Sequence, residues 1–181
     1  MLFKKTKNLS KTSICFLLCF MLLLCMLFSS SCIIAQKNAY QEKLSQWNNY
    51  KNVTMPIFKE YKDKIRASDN LYMESSFNYD GPAAKNAADQ IVKTYEEYIT
   101  KVKEITPPEF AADLHKYQIE SLELEKKKWA DISNDPMLFV VPDESIESAI
   151  KDAVNKIGIE NEKIKNSLIE EAARLKLPAP S

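Results

Sequence analysis

The sequence predicts an all-α protein, an elongated antiparallel four-helix bundle that follows a separate N-terminal leader. Apolar residues recur at helical spacing through most of the chain, and proline-containing segments divide the later helices from one another. The chain contains only 2 glycines, which is atypical of a turn-rich β-sandwich. Four long helices with mostly short connections favour the up-and-down bundle over other helical arrangements.

The clearest helix is predicted from Pro82 to Ile105. Its apolar positions follow steps of 4, 3, 4, 3, 4 and 3 residues, as in a coiled-coil seam: Ala84, Ala88, Ile91, Tyr95, Tyr98, Val102 and Ile105. The helix ends at the segment 106–109, where two prolines remove backbone donors. The same segment predicts the next helix start, with Thr106 as N-cap and Glu109 closing a capping box, and so a sharp hairpin.

The third helix is predicted to run to about Ser133, and the fourth from an Asp143 cap to Lys176. The apolar face of the third consists of Phe110, Leu114, Tyr117, Leu122, Trp129 and Ile132. That of the fourth consists of Ile146, Ile150, Ala153, Ile157, Ile164, Leu168, Ala172 and Leu175. Between them, residues 137–142 are predicted to form an extended linker packed against the bundle, because an isolated strand leaves its backbone groups unpaired.

The first helix is predicted to be kinked but continuous. Its apolar residues keep one phase across Pro56: Tyr40, Leu44, Trp47, Phe58, Tyr61 and Ile65. Residues 67–81 show no clear period, so a loop and a further helix both remain open for them.

Residues 1–31 have the layout of a signal peptide. Four lysines and no acidic residue come before and at the start of this segment's apolar part, and Ile14–Phe28 is a run of 15 apolar residues. Three small residues, Ser29 to Ser31, come next and are followed by Cys32. All 4 cysteines lie within the first 32 residues, so no disulfide is expected within the rest of the chain.

The segment Ser29-Ser30-Ser31-Cys32 resembles the lipobox of bacterial lipoproteins, in which a cysteine after small residues becomes the first mature residue. The resemblance covers about the first 32 residues, and Ser29 stands where the family commonly carries leucine. It implies that a diacylglyceryl group is added to the Cys32 sulfur and that a peptidase removes residues 1–31. The mature chain would then be a helical-bundle domain, 32–181, with a short tether at 32–39.

Two alternatives for the leader stay open. An uncleaved anchor from Ile14 to Ala35 has 22 residues, enough to span a bilayer. Ordinary cleavage near Ser31 would instead release a secreted domain. All three interpretations place the domain outside the cytoplasm.

The composition excludes several function classes. Lys and Arg total 25 and Asp and Glu total 25, whereas nucleic-acid binding depends on excess basic charge, so no nucleic-acid partner is expected. His115 is the only histidine, and Ala112 stands where a Glu-x-x-His metal motif requires glutamate. We expect His115 at the surface or its boundary, the basic run 126–128 on a solvated face offset by nearby glutamates, and no catalytic, cofactor-binding or metal-binding residue.

The expected function is therefore that of a non-catalytic binding or structural module of the cell envelope. It would be held at the cell membrane by the lipid on Cys32, on the extracytoplasmic side, with an envelope protein or the cell wall as partner. The alternative is a carrier or sensor for an apolar ligand held between the helices. That alternative predicts a gap in the core, to which Lys51 and Lys128, near the seams, are the pointers. Tyr95, Tyr98 and Tyr117 are expected to bury their rings in the core.

Overall fold

The structure, a computed structural model, describes residues 11–135, 144–178 and 180, with side chains from Cys32 onward. Its helices are α1 (Lys11–Phe77), α2 (Gly81–Lys103), α3 (Ala112–Asn134) and α4 (Glu144–Leu175), with a 3₁₀ turn at Glu109–Ala111. Among these residues there is no strand, and the predicted all-α class is confirmed. The predicted linker 137–142 and the Asp143 cap lie outside the described residues.

The helices pack as an antiparallel bundle. Each helix contacts the next along the chain, and α1 also contacts α4. The ammonium group of Lys43 in α1 lies 3.3 Å from Glu171 near the end of α4, whereas Lys128 near the end of α3 lies 2.6 Å from Glu147 at the start of α4. These pairs fix an alternating up-and-down order. With 32 residues, α4 is about 48 Å long, so the bundle is elongated.

Helix α1 passes through Pro56 without a break, as the apolar phase predicts. Pro56 lies on an exposed side of the helix together with Asn52, whose carbonyl loses its intrahelical donor to the proline. Because that carbonyl can bind water, the proline is tolerated. The helix continues to Phe77, which answers the open question at residues 67–81 in favour of helix for all but the last four positions.

Helix α2 begins where Asp80 caps it. The Asp80 carboxylate accepts a hydrogen bond from the Ala83 N–H at 3.0 Å, and Pro82 occupies the first turn. The predicted seam of α2 is confirmed, since its residues from Ala84 to Val102 are buried.

The predicted start of the third helix at Thr106 is wrong. Residues 105–108 are non-helical, a 3₁₀ turn starts at Glu109, and α3 begins at Ala112 with no side-chain cap. The reason is local: a residue that precedes a proline is driven out of the helical region, and Pro107 precedes Pro108. Pro108 itself is extended, with φ of −63° and ψ of 150°. A short connection therefore replaces the cap, although α2 and α3 still form a hairpin.

The apolar core falls into clusters that divide the bundle along its length. We call the end that holds Tyr40, Ala111 and Leu175 the proximal end, and the end that holds Phe77 and Ile146 the distal end. The proximal cluster takes residues from α1, α3 and α4. Two further clusters, around Tyr61 and around Ile91, take residues from α1, α2 and α3 alone.

The predicted buried faces are confirmed for α4, where seven of the eight positions are buried and Ile157 is half-buried. In α1 the expected seam residue Phe58 is instead exposed, and Tyr50 is buried. Helix α3 is looser than its sequence suggests. Only Leu114, His115 and Ser133 are buried there, while Leu122 and Trp129 are half-buried.

Candidate functional site

Cys32, the predicted lipidation residue, has an exposed and free thiol. It lies in α1 eight residues before Tyr40, the first fully buried residue of the bundle, which is about 12 Å along the helix axis. Its nearest polar contact is Gln36, whose amide Nε2 lies 3.5 Å from the sulfur. The thiol therefore stands outside the packed core.

Residues 32–39, predicted as a short tether, form a turn-by-turn extension of α1. Their side chains are exposed or half-buried, including the exposed Ile33 and Ile34. The connection between Cys32 and the bundle is therefore helical. From Cys32 onward, the described helices contain no stretch that is long and apolar enough to cross a membrane.

A buried polar cluster joins α1 to α3 near the proximal end. The Tyr50 hydroxyl lies 2.8 Å from Gln118 Oε1 and 3.0 Å from His115 Nδ1. The hydroxyl has one proton, so it donates to Gln118 and accepts from His115, which assigns the imidazole proton to Nδ1. We call these three residues the Tyr50 cluster.

Burial controls the protonation of this cluster. It raises the pKa of Tyr50 to about 12, and it lowers the pKa of His115 below the ordinary value of 6.5. At neutral pH the cluster is thus an uncharged chain of donors and acceptors. The expectation that His115 lies at the surface or its boundary is wrong, since only 7% of it is exposed.

A sequence signal for the buried histidine does exist. His115 lies four residues after Ala111 and seven before Leu122, which places it on the apolar side of its helix. The position of Tyr50 carries a similar signal, three residues after Trp47. What the pattern lacks is the pairing of these two residues across helices.

An open groove lies beside the Tyr50 cluster, between α1 and the α2–α3 connection. Its volume is about 780 Å³, and Tyr50 is part of its wall. The other lining residues include polar ones from α1, Gln46 and Asn49, and the rigid pair Pro107 and Pro108. This proximal groove is wide and mixed in character.

A second, smaller cleft is floored by tyrosines. Its volume is about 340 Å³, and it lies between α1, α2 and α3 with no wall from α4: Phe58, Lys62, Ile65, Arg66, Asp69, Tyr95, Tyr98 and Leu122. We call it the tyrosine cleft. Tyr98 is held by a parallel stack on Tyr61, with ring centroids 5.0 Å apart and planes inclined by 2°.

The tyrosine hydroxyls of the cleft are unusual. Tyr95 and Tyr98 are 8% and 6% exposed, and among the described residues neither hydroxyl has a hydrogen-bond partner. Burial raises the pKa of both, that of Tyr98 to about 12, and nearby Glu125 and Asp69 add to the effect on Tyr95. Both side chains are therefore neutral donors at neutral pH.

The lysines that pointed to imperfect packing have partners. The Lys51 ammonium lies 5.7 Å from the Trp47 ring centroid, and Lys128 pairs with Glu147. In the basic run, Lys126 also pairs with Glu123 at 2.9 Å, so acidic neighbours offset the charge as expected. The described residues include no cluster of three His, Cys, Asp or Glu side chains that could hold a metal ion.

Comparison of the chain with protein-family models, with curated proteins and with solved structures gives no match. The functional conclusions below therefore rest on the residues and the geometry of the chain itself.

Proposed function

We propose that this chain is a lipid-anchored module of the extracytoplasmic side of the cell membrane, and that it acts by binding another envelope component, a protein or the cell wall. The observation that carries the proposal is the position of Cys32. It follows a basic, apolar and small-residue leader, and its thiol is free and exposed ahead of the first buried residue. No catalytic step is proposed.

Lipid attachment at Cys32 would leave the bundle intact. None of the core clusters includes a residue before Tyr40, so removal of residues 1–31 takes nothing from the described packing. Two acyl chains hold a protein stably at a bilayer, since each buried methylene contributes about 0.8 kcal/mol. Because residues 32–39 are helical, the bundle would be carried on a stiff stem rather than a flexible one.

The test is mass spectrometry of the native N-terminus after expression of the full chain in bacteria fed an alkyne-labelled fatty acid. We expect a labelled chain that begins at Cys32. Cys32→Ala should abolish the label, whereas Cys25→Ala, in the apolar run, should retain it. An unmodified Cys32, or a chain that keeps residues 1–31, contradicts the proposal.

A second candidate function, a carrier or sensor for a ligand, is favoured by one observation. The tyrosine cleft interrupts the packing of the bundle where α4 takes no part in the core clusters. This candidate is compatible with a lipid anchor, and it requires a ligand of defined chemistry.

A further inference from the structure

We propose that the tyrosine cleft binds a small organic monoanion with an aromatic or otherwise flat apolar body. The inference rests on the second candidate function and is independent of the lipid anchor. It draws on the shape of the floor, on two hydroxyls without partners and on the charges at the rim.

The floor of the cleft suits a flat apolar body. Tyr95, Tyr98 and Leu122 supply ring faces and a branched aliphatic side chain, and Phe58 and Ile65 supply the α1 wall. The Phe58 and Tyr98 rings lie 6.5 Å apart and are tilted by 54°. Aromatic faces of this kind favour offset or edge contacts with another ring. A volume of about 340 Å³ is at the small end of ligand sites, which fits a molecule of two rings.

The two hydroxyls of the floor call for an acceptor. Tyr95 and Tyr98 have more than nine-tenths of their surface buried, yet no described residue accepts from either hydroxyl. A buried donor without a partner is costly, and proteins usually satisfy it with water or a ligand. An oxygen of an organic anion is an acceptor suited to both.

The rim supplies the charge that selects an anion. Lys62 and Arg66 lie one helical turn apart on the same side of α1, and neither forms an ion pair with a described residue. Asp69, one turn further, offsets one of these cations. The rim thus has a net charge of +1, which favours a single negative charge over a doubly charged group such as a phosphate monoester.

The experiment is photolabelling of the full chain in detergent with 4-benzoylbenzoate, whose two rings carry one carboxylate. Benzophenone, which has the same rings and no charge, is the matched probe. We expect saturable labelling by the carboxylate in residues 58–69 and 95–98, located by peptide mass spectrometry. Benzophenone should label these segments about ten-fold less at equal concentration, which is the effect of one charge-assisted hydrogen bond.

The variants separate the rim from the floor. Lys62→Ala with Arg66→Ala should lower carboxylate labelling about ten-fold, since both residues are outside the core and their loss leaves the fold intact. Lys59→Ala, exposed on the same helix and outside the cleft, should leave labelling unchanged. Tyr98→Phe removes only a hydroxyl and should weaken labelling while the chain stays folded.

Several results would overturn the inference. Labelling that does not saturate, that is equal for both probes, or that falls on the exposed Met55 and Met73 instead of the cleft indicates nonspecific contact with apolar surface. Because the readout is the labelled peptide and not the N-terminus, failure here leaves the lipid anchor standing, and failure of the anchor leaves the cleft standing.

Discussion

At the residue scale, the Tyr50 cluster shows how a few polar atoms can join two helices inside an apolar core. Tyr50 stacks on Trp47 with ring centroids 5.9 Å apart, and its hydroxyl connects His115 and Gln118 of α3. A buried polar group stabilises a fold only while its partners are present. The cluster is therefore sensitive to the loss of a single atom.

Tyr50→Phe removes that atom and leaves His115 Nδ1 and Gln118 Oε1 without their shared partner. We expect the free energy of unfolding to fall by about 1–3 kcal/mol, measured by urea denaturation. Tyr79→Phe is the matched control, because Tyr79 is 81% exposed, and it should change stability by less than about 0.5 kcal/mol. Equal effects of the two changes would show that the cluster contributes nothing specific.

His115 should also make stability depend on pH. Its pKa is lowered by burial in the folded chain and returns to about 6.5 in the unfolded chain. The unfolded state therefore binds the proton more readily, so the stability present above pH 6.5 is lost as the pH falls through the folded pKa. Glu125 works in the opposite direction, because burial raises its pKa and favours the protonated folded state.

The comparison of wild type with His115→Gln isolates the histidine. Between about pH 7.5 and about pH 5.5, the wild type should lose more stability than the variant, by up to about 1 kcal/mol. Urea denaturation at both values measures this difference. Parallel pH profiles for the two chains would mean that His115 is as easily protonated when folded as when unfolded.

At the element scale, the helix starts illustrate what local sequence can and cannot specify. Asp80 caps α2 through a hydrogen bond to the Ala83 N–H, whereas Thr106, which looks like the better cap in sequence, lies in a non-helical connection. The difference comes from Pro107 and Pro108, whose rings exclude the helical conformation from the residue before each of them.

These two residues make a matched pair for mutagenesis. Asp80→Ala removes an N-cap and should lower the free energy of unfolding by about 1 kcal/mol. Thr106→Ala removes no cap and should have an effect below about 0.5 kcal/mol. Thermal or urea unfolding of the two variants checks this, and a larger loss in Thr106→Ala would contradict the observed start of α3.

At the scale of the whole molecule, the bundle is closed at its proximal end and more open elsewhere. Near the proximal end α4 contributes Ile164, Leu168, Ala172 and Leu175 to the core cluster, and Lys43 of α1 contacts both Ser167 and Glu171. Further along, the core clusters come from three helices only. The tyrosine cleft belongs to that part of the bundle.

Amide hydrogen exchange should reveal this gradient. Residues 164–175 of α4 pack in a cluster of three elements and should exchange more slowly than residues 146–153, whose ion pair at Glu147 connects them to α3. Exchange measured by mass spectrometry on the full chain resolves the two peptides. Uniform protection along α4 would show that the helix opens as one unit.

The fold class, the α2 and α4 faces and the continuity of α1 could all be predicted from the sequence, because each depends on the spacing of apolar residues along one helix. The position of Cys32 after a leader is also a property of the sequence alone. Three features could not be predicted: the burial of His115, the exposure of Phe58 and the tyrosine cleft. Each depends on which helix faces which, and at what height.

The sequence by itself determined that this chain forms long amphipathic helices, where they bend or stop at prolines, and that Cys32 precedes all of the buried core. Only the tertiary structure decided that Tyr50 meets His115, and that α4 joins one core cluster and leaves two tyrosine hydroxyls without partners. The physical reason is that helix periodicity fixes a face within each helix, whereas contacts between helices depend on their relative register and packing, which a single segment does not encode.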